Sequence, residues 1–297
     1  MNLVKEFNVS LFGNTYSFYS FAHRKLPNNT VNYYVNDDRA LNVFDQDWNF
    51  LQRINFDNLN PYISLKGSIF VDCEFIYIGN PFIFLFGSLE TMYVLKLDFD
   101  LNIINYHQLK PDQSNSIAFD WCNKRIFLLW TILYDESKIF IDVYNLYLRK
   151  ISEINTTSII NNAINKNQRL PGIVFFNNKL YITYTGTNNY QYIMVTDING
   201  QYITTHNLIQ TSVASYMGSF TLDNFGNILY TSMGKLCLFD TVLNKTINCT
   251  QNEYLNEYKS TPDYFLWDND YPLYSKLDQS GRLVTIDSFK HTIQLYY

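Results

Sequence analysis

Four histidines (His23, His107, His206 and His291) and four cysteines (Cys73, Cys122, Cys237 and Cys249) are the residues of this chain best suited to acid–base, nucleophilic or metal chemistry. A general acid or base needs a reacting group within hydrogen-bond reach, and metal sites draw on ligands at short, paired spacings. Neither pattern is present: no C-x-x-C, no histidine pair at helical spacing, no nucleophile elbow and no glycine-rich phosphate loop occurs. Cys237 and Cys249 lie symmetrically about position 243, so a hairpin centred there sets them face to face. Two neighbouring buried thiols are the expectation, a cross-strand disulfide being reserved for an oxidising compartment. The remaining chemistry resides in oxygen donors and a few cations: Asp37, Asp38, Arg39, Glu90, Asp135, Glu136, Asn188, Asn189, Lys235 and Arg282. Such a set suits a dipolar partner, or, under a hydrolase reading, a calcium ion, which takes about six to eight oxygen ligands.

What positions these residues is a repeat. Helical periodicity is nearly absent, whereas short runs of β-branched and aromatic residues recur between Asn, Asp, Gly and Pro clusters. The stretch LNVFDQDWNFLQRI returns as YVLKLDFDLNIINY, FIDVYNLYLRKISE, YIMVTDINGQYITT, KLCLFDTVLNKTIN and RLVTIDSFKHTIQL. Each reads as strand, Asp or Asn, tight turn, strand. The anchors are Asp45, Asp98, Asn145, Asp197, Asp240 and Asp287, separated by 53, 47, 52, 43 and 47 residues, a period in the range of propeller blades. Asp and Asn suit the anchor because their side-chain oxygen accepts from backbone amides two residues on. Two further strand patterns precede most anchors, VNYYVND before the first and GSFTLDNFGNILYTSM before the fifth among them. The reading is therefore all-β: a six-bladed β-propeller of four-stranded antiparallel blades.

The units DNFGNILYTS and QSGRLVTID, each leading into strand, Asp, small or polar turn and strand, resemble the NHL-repeat and NHL-like propellers across nearly the whole chain. The resemblance implies one domain over residues 1–297. The final TIQLYY would complete its own blade, so an N-terminal strand at about residues 4–13 is expected to close the ring against that blade, since an unlatched ring exposes two edges. Residues 57–81 read as an insertion in the second blade, and residues 154–169 as a polar insertion before the fourth.

In such a blade the second-to-third-strand loops share a face with the blade-to-blade connections, and the anchor turns lie on the opposite face. The candidate residues fall on the former, acidic at Asp37, Asp38, Glu90, Asp135 and Glu136 and basic at Lys235 and Arg282. His107 and His206, each nine residues past an anchor, fall on outer fourth strands. Trp48, Trp121, Trp130 and Trp267 read as packing between blades.

Composition narrows the partners. A charged fraction of 16% with net charge −5 offers no footprint for phosphate backbones, which disfavours nucleic acid. No window reaches the length of a membrane span and no signal-peptide core is seen, so a cytoplasmic monomer is the default. Five N-x-S/T sequons, at Asn8, Asn28, Asn155, Asn244 and Asn248, carry weight only if the chain enters a secretory compartment. With no catalytic constellation, the functional expectation is non-catalytic binding of a protein or peptide through the loop face, without a cofactor. The alternatives are a calcium-dependent lactonase or arylesterase at the channel mouth, and a carbohydrate binder using exposed Tyr and Trp.

Overall fold

The computed structural model describes residues 3–8, 18–37, 40–55, 69–71, 74–79, 93–99, 102–108, 113–132, 135–156, 172–186, 190–210, 217–222, 225–232, 235–251, 273–277, 283–287 and 292–296. The described strands are antiparallel and fall into four-stranded sheets, the blades of an all-β propeller. β1 (Leu3–Asn8) stands apart in sequence from its sheet. The first contiguous sheet comprises β2 (Phe18–Lys25), β3 (Val31–Asp37), β4 (Ala40–Phe44) and β5 (Phe50–Asn55). The second comprises β6 (Ile69–Val71), β7 (Ile76–Gly79), β8 (Tyr93–Leu97) and β9 (Ile103–Gln108). The third is β10 (Gln113–Asp120), β11 (Arg125–Ile132), β12 (Asp135–Asn145) and β13 (Lys150–Asn155). The fourth is β14 (Ile173–Phe176), β15 (Lys179–Thr185), β16 (Tyr190–Asp197) and β17 (Tyr202–Gln210). The fifth is β18 (Met217–Leu222), β19 (Ile228–Ser232), β20 (Lys235–Asp240) and β21 (Lys245–Gln251). A composite sheet then joins β22 (Leu273–Leu277), β23 (Leu283–Asp287) and β24 (Thr292–Tyr296) to β1.

The composite sheet corrects the sequence frame. β1 pairs β24, with Phe7 opposite Ile293 and Asn8 opposite Thr292, so the N-terminal segment is the fourth strand and TIQLYY the third. Counted from β22, Asp287 ends the second strand, whereas Asn145, Asp197 and Asp240 end third strands and Asp45 and Asp98 directly follow them. The strand–Asp–turn–strand pattern is common to any hairpin whose turn is capped by Asp, so pattern alone assigned Asp287 one strand too late. Residues 57–81 are not a mere insertion either, because they contain β6 and β7, the first two strands of the second sheet.

The anchor turns are built from their own side chains. Asp45 Oδ1 accepts from the amides of Asp47 (2.9 Å) and Asn49 (2.8 Å), and Asn145 Oδ1 from Tyr147 (2.9 Å) and Arg149 (3.1 Å). Asp197 repeats the pattern on Asn199 and Gln201, both at 2.8 Å, and Asp240 binds the amides of Val242 (2.7 Å) and Leu243 (2.8 Å). At Asp98 the carboxylate takes the amide of Asn102 at 2.8 Å and its side chain at 2.9 Å. The turns close through a residue in the left-handed region three positions on: Trp48 (φ 61°), Leu148 (φ 58°) and Gly200 (φ 83°). Trp48 is an unusual occupant; its side chain is fully buried, stacked on Tyr33 at 4.4 Å and edge-on to Phe21, which offsets the backbone cost.

The chain forms two compact units. In the first, which spans residues 1–114, 270–274 and 278–297, alternate residues of β3 face opposite ways. Tyr33 and Val35 pack with Phe44, Trp48, Val284, Ile293 and Leu295, while Tyr34 packs with Leu41, Val43, Ile69, Ile76 and Leu95. The second unit, residues 115–269 and 275–277, repeats this through its fourth sheet. Ile182 and Met194 meet Phe127, Leu129 and Ile141 on one side, and Tyr181, Ile193 and Val195 meet Ile228, Tyr230 and Phe239 on the other. Burial on both faces is why these strands read as near-continuous apolar runs rather than alternating ones.

Candidate functional site

Each contiguous sheet has two ends. Its first-to-second and third-to-fourth turns sit at one end, here the turn end, and its second-to-third connection at the other, the loop end. Of the candidates read from sequence, Asp37 ends β3 and Lys235 opens β20, both at loop ends. Asp135 and Glu136 lie at a loop end too, but in the opening residues of β12 rather than in a loop, because the β11–β12 hairpin is tight. Asp38, Arg39, Glu90, Asn188, Asn189 and Arg282 lie outside the described residues.

Asp37 is fully buried and already bound. Its Oδ1 accepts from the Ala40 amide at 2.8 Å, its Oδ2 from Asn42 Nδ2 at 3.0 Å, and the Arg53 guanidinium pairs with Oδ2 while also donating to Asn42 Oδ1 at 3.0 Å. A carboxylate neutralised by Arg53 and held by two further donors is a poor cation ligand. It braces the β3–β4 connection and ties β5 to the sheet. Among the described residues no group of three His, Cys, Asp or Glu side chains is placed to hold a metal.

The position three residues before each anchor, together with its partner on the fourth strand, carries the most sheet-specific chemistry. The pairs are Asn42 with Arg53, Leu95 with Tyr106, Asp142 with Glu153, Met194 with Thr205, and Cys237 with Cys249. In the third sheet Lys150 Nζ lies 2.7 Å from both Asp142 and Glu153, and Tyr144 donates to Asp142 at 3.2 Å. Burial of Tyr144, reinforced by the Asp142 and Glu153 charges, pushes its hydroxyl well above the ordinary tyrosine range. Burial works to lower the Lys150 ammonium, but bonds and charge from Asp142 and Glu153 outweigh it and raise the group. In the fifth sheet Cys237 and Cys249 are joined in a disulfide, with Cα atoms 4.1 Å apart. The expectation of two free thiols is therefore corrected: direct opposition across the hairpin brings the sulfurs within bonding distance.

Asp120 makes a second triad, at the turn end of the third sheet. Asn123 donates from its backbone (3.1 Å) and side chain (2.9 Å), and Arg125 from Nη2 (2.6 Å) and Nε (3.2 Å). Burial tends to raise the carboxyl, but these bonds and the Arg125 charge hold it below its ordinary value. His107 and His206 lie on the fourth strands β9 and β17. The His206 ring packs against Phe239 at 5.5 Å, its Nε2 has no hydrogen-bond partner among the described residues, and burial lowers its pKa from 6.5. A lowered folded pKa means that the unfolded chain binds the extra proton first, so the stability held by neutral His206 is complete above pH 6.5 and is lost as pH falls through the folded value. His206→Gln is expected to flatten the acid side of the melting temperature against pH curve below 6.5; an unchanged curve would assign that slope elsewhere.

The sequence reading missed the apolar residues of the second unit's turn end. Phe225 is 84% exposed, Val242 82% and Leu243 58%, on two turns of the fifth sheet linked by a 2.9 Å bond from Thr241 Oγ1 to the Gly226 carbonyl. Gly226 abuts the ring of Phe176, the last residue of β14, so the corresponding turn of the fourth sheet lies alongside. On the third sheet Trp121 (38%) and Tyr147 (68%) occupy turns at the same end. The signal was present in the sequence, since VL stands inside DTVLNK where a turn ordinarily carries polar residues. Trp48 is fully buried and Trp130 is half-buried, stacked on Phe140 of the adjacent strand at 4.3 Å, whereas Trp121 is exposed and Trp267 lies outside the described residues.

No helix among the described residues is long and apolar enough to cross a membrane. No protein-family model matches the chain, and no curated protein matches it. Solved structures do. A catalytically inactive variant of virginiamycin B lyase from Staphylococcus aureus, crystallised with quinupristin, aligns with a TM-score of 0.55 at 13% identity, over 95% of this chain and 81% of that one. A Bacteroides caccae protein of unknown function aligns at 0.51 and 9% identity, over 84% and 79%. A chain of the mitotic checkpoint complex aligns at 0.52 and 9%, over 93% and 73%. At such identities the likeness is one of fold alone: the chain is an all-β propeller built of four-stranded antiparallel blades.

Proposed function

We propose that this chain is a single-domain, monomeric six-bladed propeller of the NHL-like kind, latched by β1, that binds a protein or peptide without catalysing a reaction. The pairing of β1 with β24 and the five contiguous sheets support the ring. The observation that carries the binding reading is the set Phe225, Val242 and Leu243, held out on two bonded turns of the fifth sheet. Large apolar side chains exposed together are unfavourable in water unless a partner covers them, and aromatic anchors on a rigid frame dominate the energy of protein interfaces.

Affinity capture from native extract with three baits tests it. The triple variant Phe225→Ser, Val242→Ser, Leu243→Ser is expected to lose the partners of the wild type about tenfold or more, as removal of hot-spot contacts does. The loop-face variant Asp38→Asn, Arg39→Gln, Glu90→Gln is expected to retain them. The reverse result would move the site to the loop face, and turnover of an ester or lactone by the purified chain would replace binding with catalysis.

A further inference from the structure

We propose that this chain matures in an oxidising compartment and that Asn28 is an N-glycan acceptor there. With asparagine so frequent, the sequons alone decide nothing; placement does. Asn28 is exposed at the tip of the β2–β3 hairpin, which is closed by bonds from the Leu26 amide to the Thr30 carbonyl (2.7 Å) and from the Asn29 amide to the Leu26 carbonyl (2.9 Å). Within the sequon, Thr30 donates to Asn28 Oδ1 twice, from its backbone at 3.1 Å and from its hydroxyl at 2.6 Å. Both bonds end on Oδ1 and neither engages Nδ2, the atom that is glycosylated. Donation to the amide oxygen withdraws electron density from nitrogen and makes its proton easier to remove.

The transfer is a substitution at carbon. Nδ2 attacks the anomeric carbon of an oligosaccharide carried on a lipid diphosphate, the sugar–oxygen bond breaks, the diphosphate leaves with the electron pair, and Nδ2 gives its proton to a base of the transferase. The other sequons are placed less well. The Thr246 hydroxyl of the Asn244 sequon is engaged with Tyr230 at 3.0 Å, the Thr157 that completes the Asn155 sequon lies outside the described residues, and so do the side chains of Asn8 and Asn248.

A second, independent observation places the chain where such donors are found. The Cys237–Cys249 disulfide, on a different sheet, has one buried sulfur residue and one exposed. An exposed disulfide of this kind is kept reduced by the thiol pools of a cytosol and persists in the secretory lumen. Its two electrons and two protons pass to a disulfide-bearing oxidoreductase of that lumen. This replaces the cytoplasmic default drawn from the sequence.

The test is the mass of the protein isolated from its native cells, before and after peptide N-glycosidase, with a non-reducing peptide map. The expected result is a fall in mass, conversion of Asn28 to Asp by the enzyme, and peptides holding Cys237 and Cys249 that separate only on reduction. In secretory expression, Asn28→Gln and Thr30→Ala are each expected to remove one glycan, the second while leaving the asparagine in place. An unmodified Asn28 in the native protein overturns the proposal whether or not the disulfide is found, and so does full glycan mass in either variant.

Discussion

Gly226→Ala is expected to destabilise the protein by about 3 kcal/mol or more, the sum of left-handed backbone strain and overpacking. Gly226 sits at φ +84°, and a Cβ built there falls 2.0 Å from Phe176 Cζ and within 2.5 Å of the neighbouring ring carbons. The ring has little room to retreat, because Phe176 packs against the cluster of Val174, Tyr181, Ile228 and Phe239. Chemical denaturation of Gly226→Ala, Phe176→Leu and the double variant separates the two causes. If the clash dominates, Phe176→Leu recovers part of the loss; if the backbone dominates, the two costs add. A Gly226→Ala protein as stable as wild type would mean that the β18–β19 turn does not abut the fourth sheet as described. Since Thr241 bonds the Gly226 carbonyl, the same change is expected to displace Val242 and Leu243 and to weaken the proposed binding.

The second large effect is expected at Arg53. Removing it leaves the Asp37 carboxylate fully buried without its counter-charge, and breaking a buried pair from one side costs about 3–5 kcal/mol. Arg53→Ala should therefore unfold at markedly lower denaturant, while Asp37→Asn with Arg53→Ala should lose less than Arg53→Ala alone, because no unpaired charge remains. Equal and small losses in both proteins would show that the triad braces nothing. The double variant also bears on function: Asp37 is assigned here to holding the β3–β4 connection, so binding should survive in whatever fraction of the protein stays folded.

The repeat itself was legible because it is written in local chemistry. An Asp or Asn that accepts from amides two and four residues on needs no distant partner, so Asp45, Asn145 and Asp197 build the same turn wherever the chain goes. Strand type was legible as well, since burial on both faces fills VNYYV and YIMV with apolar residues in succession. The outer-strand placement of His107 and His206 followed from counting past their anchors.

What the tertiary structure decided is which strands meet and what remains outside once they have. A hairpin pattern does not say whether it is the second and third strands of a sheet or the third and fourth; only the pairing of β1 with β24 resolved that, and with it the place of Asp287. Charge on a loop does not reveal whether it faces a ligand or a guanidinium, and Asp37 became a brace through Arg53, sixteen positions away. Two cysteines equidistant from a turn do not disclose their register, which a one-residue slip would have sent to opposite faces. Exposure of Phe225, Val242 and Leu243 is likewise a property of assembled sheets: composition calls such residues core, and they stand in solvent because local backbone bonds fix the turns that carry them beyond the strands. Local hydrogen bonding and burial pattern are short-range and survive in one dimension, whereas pairing, counter-charge and exposure depend on neighbours that sequence distance does not identify.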